Sequence, residues 1–364
     1  MKKKLLTIFG LLLIFTTGCF KYDAKDAISD LEKKYKNLKA YHLEGELEIL
    51  NNEDVFNYDV DVYFQKDEKF RVSLKNKSNN HEQIILKNAD GVYVLTPSLN
   101  KSFKFQSDWP YNNSQVYLIK SIVDDVKNDK ERNLVEKEDE FIITSKVNYP
   151  NNRKLVSQII KTDKDLNLKE VRVVDESEIT QMKMTFTKID TSPSIENSTF
   201  DLNSIMKNQI PRPTPSQTPT TSPSPTPGAT PTPTTSPTPT PDSSDESQNT
   251  SVLEDFIYPL YIPSGTVLSN QEKITTDMGE RVIMTFDGEK PFLLVEETSS
   301  VSEEFEIIPT FGEPCILSDT IAALTENSIT WASGGVDYYL VSDVMSQEEL
   351  LDIARSVSVI PTMK

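Results

Sequence analysis

The chain has little of what most catalytic sites are built from. Its 364 residues include 2 histidines and 2 cysteines. His42 and His81 are the available near-neutral proton carriers, and neither adjoins a serine or cysteine pattern resembling a nucleophile elbow. No glycine-rich phosphate loop, no HExxH and no paired CxxC spacing occurs, so nucleotide and zinc chemistry find no motif. Positive charge is scarce as well: 38 Lys and Arg stand against 56 Asp and Glu, a net charge of -18. That balance argues against nucleic acid and against docking on an anionic membrane surface. The deficit is concentrated late. From Thr250 onward 20 acidic residues face 5 basic ones, whereas Phe20 to Ile205 is only mildly acidic. A solvated face that keeps this part soluble accounts for the acidity.

Two further patterns look chemical and read as structural. Asp163, Asp165 and Asn167 mimic the start of a calcium loop, but position six is Leu168 and position twelve is Val174, where glycine and glutamate belong. The segment is expected to be a hairpin turn. Cys315, in EPCIL, is expected to be a small buried apolar residue. No enzyme, cofactor or metal site is therefore expected.

What is present begins at the N-terminus. Lys2, Lys3 and Lys4 precede the mostly apolar run Leu5 to Phe15, and Thr16, Thr17 and Gly18 lead to Cys19. Charge, a short apolar stretch and small residues form an export signal, too short for the roughly 20 residues of a spanning helix. A cysteine directly after Gly18 resembles the bacterial lipobox, with Thr16 where leucine is usual. The resemblance implies cleavage after residue 18 and acylation of Cys19 by diacylglycerol and palmitate. The expected location is the extracytoplasmic face of the cell membrane, held there by that lipid. With Cys19 acylated, Cys315 has no intramolecular disulfide partner.

A compositional break divides the remainder. Pro211 to Pro241 holds 12 of the 22 prolines, and no aromatic residue lies between Phe200 and Phe256. Such a segment cannot offset its ordering entropy and is expected to stay disordered. Extended polyproline at about 3.1 Å per residue lets some 40 residues span on the order of 100 Å. The expected plan is a signal peptide over 1–18, a domain over 19–205, a Pro/Thr/Ser linker over 206–250 and a small acidic α+β domain over 251–364.

Ala24, Ala27, Ile28, Leu31, Tyr35 and Leu38 recur at helical spacing. Strict alternation follows, as in Phe56, Tyr58, Val60, Val62 and Phe64, then in Phe70, Val72 and Leu74, and later in Met182, Met184 and Phe186. Alternation predicts antiparallel strands with one covered face. Asp90-Gly91 predicts a hairpin, and a second helix is expected from near Ser114, with Tyr117, Val123 and Val126 on its apolar side. In the C-terminal part, Val282, Met284 and Phe286 alternate, Gly334-Gly335 sets a hairpin turn between Trp331 and Tyr338, and Ser346 with Glu349 makes a capping box.

This order of elements, with DGVYVLTPSLNKSFKF, SQVYLIKSIVDDV and a later hairpin strand ending at Asp175, resembles the LolA-like lipoprotein fold over roughly Tyr22 to Leu202. Within it, the sporulation and germination lipoproteins of the GerS type are most similar. The C-terminal part resembles a small domain of unknown function found in Gram-positive anti-sigma factors and sporulation lipoproteins. The resemblance implies an α+β protein whose N-terminal sheet is a curved antiparallel half-barrel with helices on its concave face. It also implies a non-catalytic scaffold for an envelope protein, such as a peptidoglycan amidase, in sporulation or germination. The alternative is a carrier or sensor holding a lipid acyl chain in the concavity, where Phe56, Tyr58 and Phe64 decide how much space remains.

Overall fold

The computed structural model describes residues 24–51, 54–209, 256–276 and 279–357. Cys19 and the proline-rich stretch lie outside the described residues. No described helix is long and apolar enough to cross a membrane.

Helix α1 (Ala24–Lys36) forms where the apolar stripe was expected, burying Ala27, Ile28, Leu31 and Tyr35. Six strands follow as a meander: β1 (Ala40–Asn51), β2 (Asp54–Gln65), β3 (Lys69–Asn76), β4 (Glu82–Asn88), β5 (Gly91–Thr96) and β6 (Lys101–Phe105). After α2 (Ile119–Asn128) comes a second meander: β7 (Asn133–Glu136), β8 (Glu140–Lys146), β9 (Leu155–Asp163), β10 (Leu168–Asp175) and β11 (Thr180–Asp190). Antiparallel pairing of β1 with β11 joins the two into one open sheet. Side chains from β2 and β3 and from β8 and β9 pack in one core with α1 and α2, so the sheet bends around these helices. Gly45 helps it bend. The β1–β11 register slips between Glu44 and Gly45, and any Cβ at Gly45 would strike the Thr185 carbonyl.

Two expectations need correction here. Helix α2 begins at Ile119, not near Ser114. The Ser114 amide donates to the Asn148 carbonyl at 2.7 Å and its hydroxyl accepts from the Asn148 amide at 2.8 Å, which ties Ser114 to a neighbouring segment. Nor do all helices lie on the concave side. Helix α3 (Leu202–Gln209) packs Leu202, Ile205 and Met206 on the opposite face, against Ile84, Leu86, Tyr93 and Leu95. That explains the unbroken apolar runs in β4 and β5, which alternate nothing because both their faces are covered. The helix also carries regular structure past Ile205, through the expected start of the linker.

The C-terminal half builds a second antiparallel sheet. Its strands are β12 (Thr266–Thr276), β13 (Gly279–Gly288), β14 (Phe292–Thr298), β16 (Glu313–Leu317), β17 (Thr320–Leu324), β18 (Ser328–Ser333) and β19 (Val336–Val341), in the spatial order 12-13-14-19-18-17-16. Val282, Met284 and Phe286 are buried, and Trp331 stacks on Tyr338 with centroids 4.8 Å apart. Gly334 and Gly335 take φ of 60° and 83° in the turn between them, as a two-residue hairpin requires. Helix α4 (Gln347–Ser356) opens with the expected capping box on Ser346.

Between β14 and β16 the chain leaves this sheet. Strand β15 (Glu306–Thr310) pairs in parallel with β6 and becomes the twelfth strand of the N-terminal sheet. The β16–β17 hairpin then enters the N-terminal core, burying Ile321 and Ala323 there. Gln83 Oε1 accepts from the Ile321 amide at 2.6 Å and the Thr320 hydroxyl at 3.1 Å, and the Tyr58 hydroxyl donates to the Ser318 carbonyl at 2.7 Å. Fully burying one aliphatic side chain of this size stabilises by about 1.5–3 kcal/mol. The halves are thus packed together rather than strung apart.

Candidate functional site

Three features of the described surface are candidates for binding: two concavities and one exposed sheet edge. The first is a groove of about 610 Å³ between α1 and α2. Tyr35, Leu38, Tyr41, Phe64, Ile119 and Val123 make its floor. Phe64 stacks on Tyr41 with centroids 5.0 Å apart, so it lines the space instead of filling it. Lys36, Lys39, Lys66, Lys120 and Lys127 rim the mouth, with Glu32 and Asp124. Lys120 is held by Asp124 at 2.6 Å. Tyr58, by contrast, is buried under the C-terminal hairpin.

The second is a cleft of about 450 Å³ between the halves. The ends of β1 and β11 and the 152–155 loop form one wall; Ile316, Ser318, Tyr261 and the last turn of α4 form the other. Asn51 Nδ2 bridges it, donating to Ser318 Oγ at 2.6 Å and to the Arg355 carbonyl at 3.0 Å. Lys154 closes the rim through Asp352 at 2.9 Å.

The third is the outer edge of the C-terminal sheet. Among the described residues, strand β12 pairs with β13 alone and is exposed on both faces, Val267 at 66% and Leu268 at 38%. Beside it in sequence, Phe256, Tyr258, Leu260, Tyr261 and Ile262 are all exposed.

The residues singled out by sequence separate cleanly. His42 Nε2 lies 2.8 Å from Asp61 Oδ2 and 3.6 Å from Glu44 Oε1, with its ring stacked on Tyr63 at 4.1 Å. The three offer ligand atoms within 4.8 Å of one another. Each is already engaged, however, since Lys188 holds Glu44 at 2.7 Å and lowers its pKa. His81 sits in its loop, where burial lowers its pKa and Asp319 opposes the shift. Asp163 caps the β9–β10 turn, accepting from the amides of Asp165 and Asn167 at 3.1 and 2.8 Å. The Cys315 thiol is pushed up to about 12 by burial, against the pull of Arg355, which leaves no thiolate at neutral pH. These residues are not brought together into one site.

Sequence reasoning assigned no role to Arg355, and it missed the β12 edge. The imbalance of 20 acids against 5 bases was the available signal, because an unpaired base in that half is exceptional.

No protein-family model matches the chain. Among solved structures it is similar to MucB of Pseudomonas aeruginosa in its MucA complex, at 10% identity and TM-score 0.32, covering 91% of this chain and 98% of that one. It is similar to the Clostridioides difficile structure of the CwlD amidase with the GerS lipoprotein, at 12% identity and TM-score 0.26, over 48% of this chain and 95% of that one. A LolA superfamily protein of Nitrosomonas europaea matches at 8% identity and TM-score 0.30, over 50% of this chain and 98% of that one. In sequence, 358 residues align at 32% identity with the sporulation protein YdcC of Bacillus subtilis strain 168, covering 98% of this chain and 97% of the relative. The chain belongs to the family of that sporulation protein.

Proposed function

We propose that the protein is a membrane-tethered, extracytoplasmic scaffold that binds an envelope protein during sporulation and catalyses nothing itself. Cys19 carries the lipid, in line with the lipobox-like Gly18-Cys19. The observation that carries the scaffold reading is the β12 edge, an 11-residue strand that has, among the described residues, no backbone partner on one side, and has exposed apolar neighbours. An edge of that kind accepts an extended segment of another chain by adding a strand. The other sheet offers less: β15 of the chain itself covers β6. A peptidoglycan amidase is the partner that the GerS-type resemblance implies.

A deletion strain of a spore former tests this. Its spores should fail in cortex formation or hydrolysis, and a Leu268→Pro copy that accumulates normally should not restore them. Spores that form, germinate and hydrolyse cortex normally without the gene overturn the scaffold. Cys19→Ser should leave unprocessed precursor outside detergent-phase extracts; wild-type partitioning overturns the anchor.

The lysine-rimmed groove favours a second reading, a sensor or carrier for an anionic amphiphile. Its volume is within the roughly 300–1,000 Å³ of small-molecule sites. Native mass spectrometry of the delipidated protein should then show co-purified acyl lipid, lost when Lys36, Lys39, Lys66 and Lys127 are changed to Gln. Protein that stays lipid-free removes this reading.

A further inference from the structure

Arg355 is placed against the electrostatic habit of its own half. There, Lys273 pairs with Glu280 at 2.7 Å, Arg281 with Glu297 at 2.8 Å and Lys290 with Glu349. Arg355 has no hydrogen-bond or ion-pair partner for its guanidinium among the described residues, although 20 acidic residues are available. Asp352 and Glu348 on its helix act on it only through space, and Asp352, which shares the cleft lining with Asp175, is paired with Lys154 at 2.9 Å. The side chain instead lines both the cleft of about 450 Å³ and an adjoining chamber of about 90 Å³ that contains Cys315 and Leu351. The side chain is half-buried; burial lowers its pKa and Cys315, Asp352 and Glu348 oppose the shift. The position of Arg355 in the last turn of α4 recovers part of the cost of burial through the helix dipole. A dipole would be served equally well by a solvated arginine on the outer face of the turn, so it does not explain why this one points inward.

A second unsatisfied group lines the same two cavities. Asn152 Oδ1 is buried without a donor. Leu155, Met182 and Ile316 complete the shared wall with apolar surface. One free cation with five N–H groups, one free acceptor and an apolar wall describe the complement of a particular ligand. It carries a carboxylate for the guanidinium fork, an N–H for Asn152 and an apolar side chain.

We propose that the cleft between the halves binds the free α-carboxylate end of a short apolar peptide or N-acyl amino acid, with Arg355 holding the carboxylate and Asn152 accepting its amide N–H. This site is distinct from the β12 edge and stands whether or not that edge binds a partner. A guanidinium–carboxylate fork is directional and strong where water is excluded, whereas the amide of the same ligand offers no charge to it.

The test uses the whole mature chain carrying Cys19→Ser, with N-acetyl-leucine, N-acetyl-leucinamide and acetate as probes in calorimetric titration and thermal-shift assays. N-acetyl-leucine should bind saturably, its amide at least about tenfold more weakly, and acetate more weakly still. Arg355→Gln should abolish the preference for acid over amide. Without ligand, the same variant should melt no lower than the parent, because it removes an unpaired, partly buried charge. Failure of N-acetyl-leucine to bind, equal binding of acid and amide, or acetate matching N-acetyl-leucine overturns the assignment. A fall in the melting temperature of Arg355→Gln shows a structural arginine and overturns it as well.

Discussion

Around the α1–α2 groove of the N-terminal half, Lys36, Lys39, Lys66 and Lys127 have no side-chain partner among the described residues, while in the C-terminal half Lys273, Arg281 and Lys290 are each held by a carboxylate. The same condition, a cation without an anion, means different things in the two places. An exposed lysine is solvated and loses nothing by being alone; four of them together attract anions at long range. Arg355 is alone inside a cleft, where solvation is incomplete. An unpaired charge is evidence of a ligand only where water cannot do the ligand's work.

The halves also differ in where their cores lie relative to the chain. Ile321 belongs to the C-terminal sheet by hydrogen bonding and to the N-terminal core by packing. Ile321→Asp should therefore have the largest effect, at about 3 kcal/mol or more, through lost burial and an uncompensated carboxylate. Calorimetry should show one transition in the wild type and two, the first well below it, in the variant. A uniformly shifted single transition would place Ile321 in an ordinary shared core and remove the distinction. Cleavage within 210–255 should likewise leave two fragments that co-elute on size exclusion.

The second contrast is in pH. Desolvation raises Asp125 in the N-terminal half to about 6, and in the C-terminal half it raises Glu296 to about 7 and Asp337 above the usual carboxylate range. Glu296 stands opposite Tyr338 across the β14–β19 pair and, among the described residues, accepts only from the Ile257 amide at 3.2 Å. A raised carboxyl stabilises the fold below its unfolded pKa, near 4.5, and that contribution fades as pH rises through about 7. The loss from Glu296 is at most ~3 kcal/mol by pH 8. Melting temperature should fall from pH 5 to pH 8, and Glu296→Gln should flatten much of the slope. An unchanged slope in that variant assigns the pH dependence to Asp125 or Asp337 instead.

How much of this was legible beforehand differs along the chain for physical reasons. Alternation in β2, β3, β11 and β13 exposed one wet face and so announced itself, as did the stripe of α1 and the Gly334-Gly335 turn. Helix α3 did not, because eight residues with Leu202, Ile205 and Met206 give too short a period to stand out beside a proline-rich stretch. Strand β15 was invisible for another reason. Its Glu306–Thr310 run carries Pro309 and little alternation, and its pairing with β6 is set by residues some 200 positions earlier in the chain. Cavities such as the Arg355 cleft arise between distant segments, so no local pattern encodes them.

Smaller effects separate the sheets. Gly45→Ala should cost about 2 kcal/mol, because the new methyl meets the Thr185 carbonyl and the Met184 side chain at the bulge. Gly335, whose added Cβ would meet nothing within 4 Å, is the control: its cost comes from φ of 83° alone. Urea titration of both variants checks this; equal losses would mean that strain at the bulge is relieved by sheet adjustment.

The smallest expected effect compares the helices. Helix α2 is preceded by Leu118, which makes no side-chain cap, and is held by its buried face of Ile119, Ile122, Val123 and Val126. Helix α4 has both devices, a buried face and a cap in which Ser346 Oγ accepts from the Glu349 amide at 3.3 Å while Glu349 Oε2 accepts from the Ser346 amide at 3.0 Å. Ser346→Ala removes one of these bonds and should cost about 1 kcal/mol. Glu349→Gln keeps the reciprocal acceptor but gives up the charge that meets Lys290 and the helix N-terminus, so it should cost about 0.5–1 kcal/mol. Because Ser346 and Glu349 share the cap, the double variant should lose less than the sum of the two. Strict additivity in urea unfolding would show that the cap bonds act independently, and that α4, like α2, is held by its buried face.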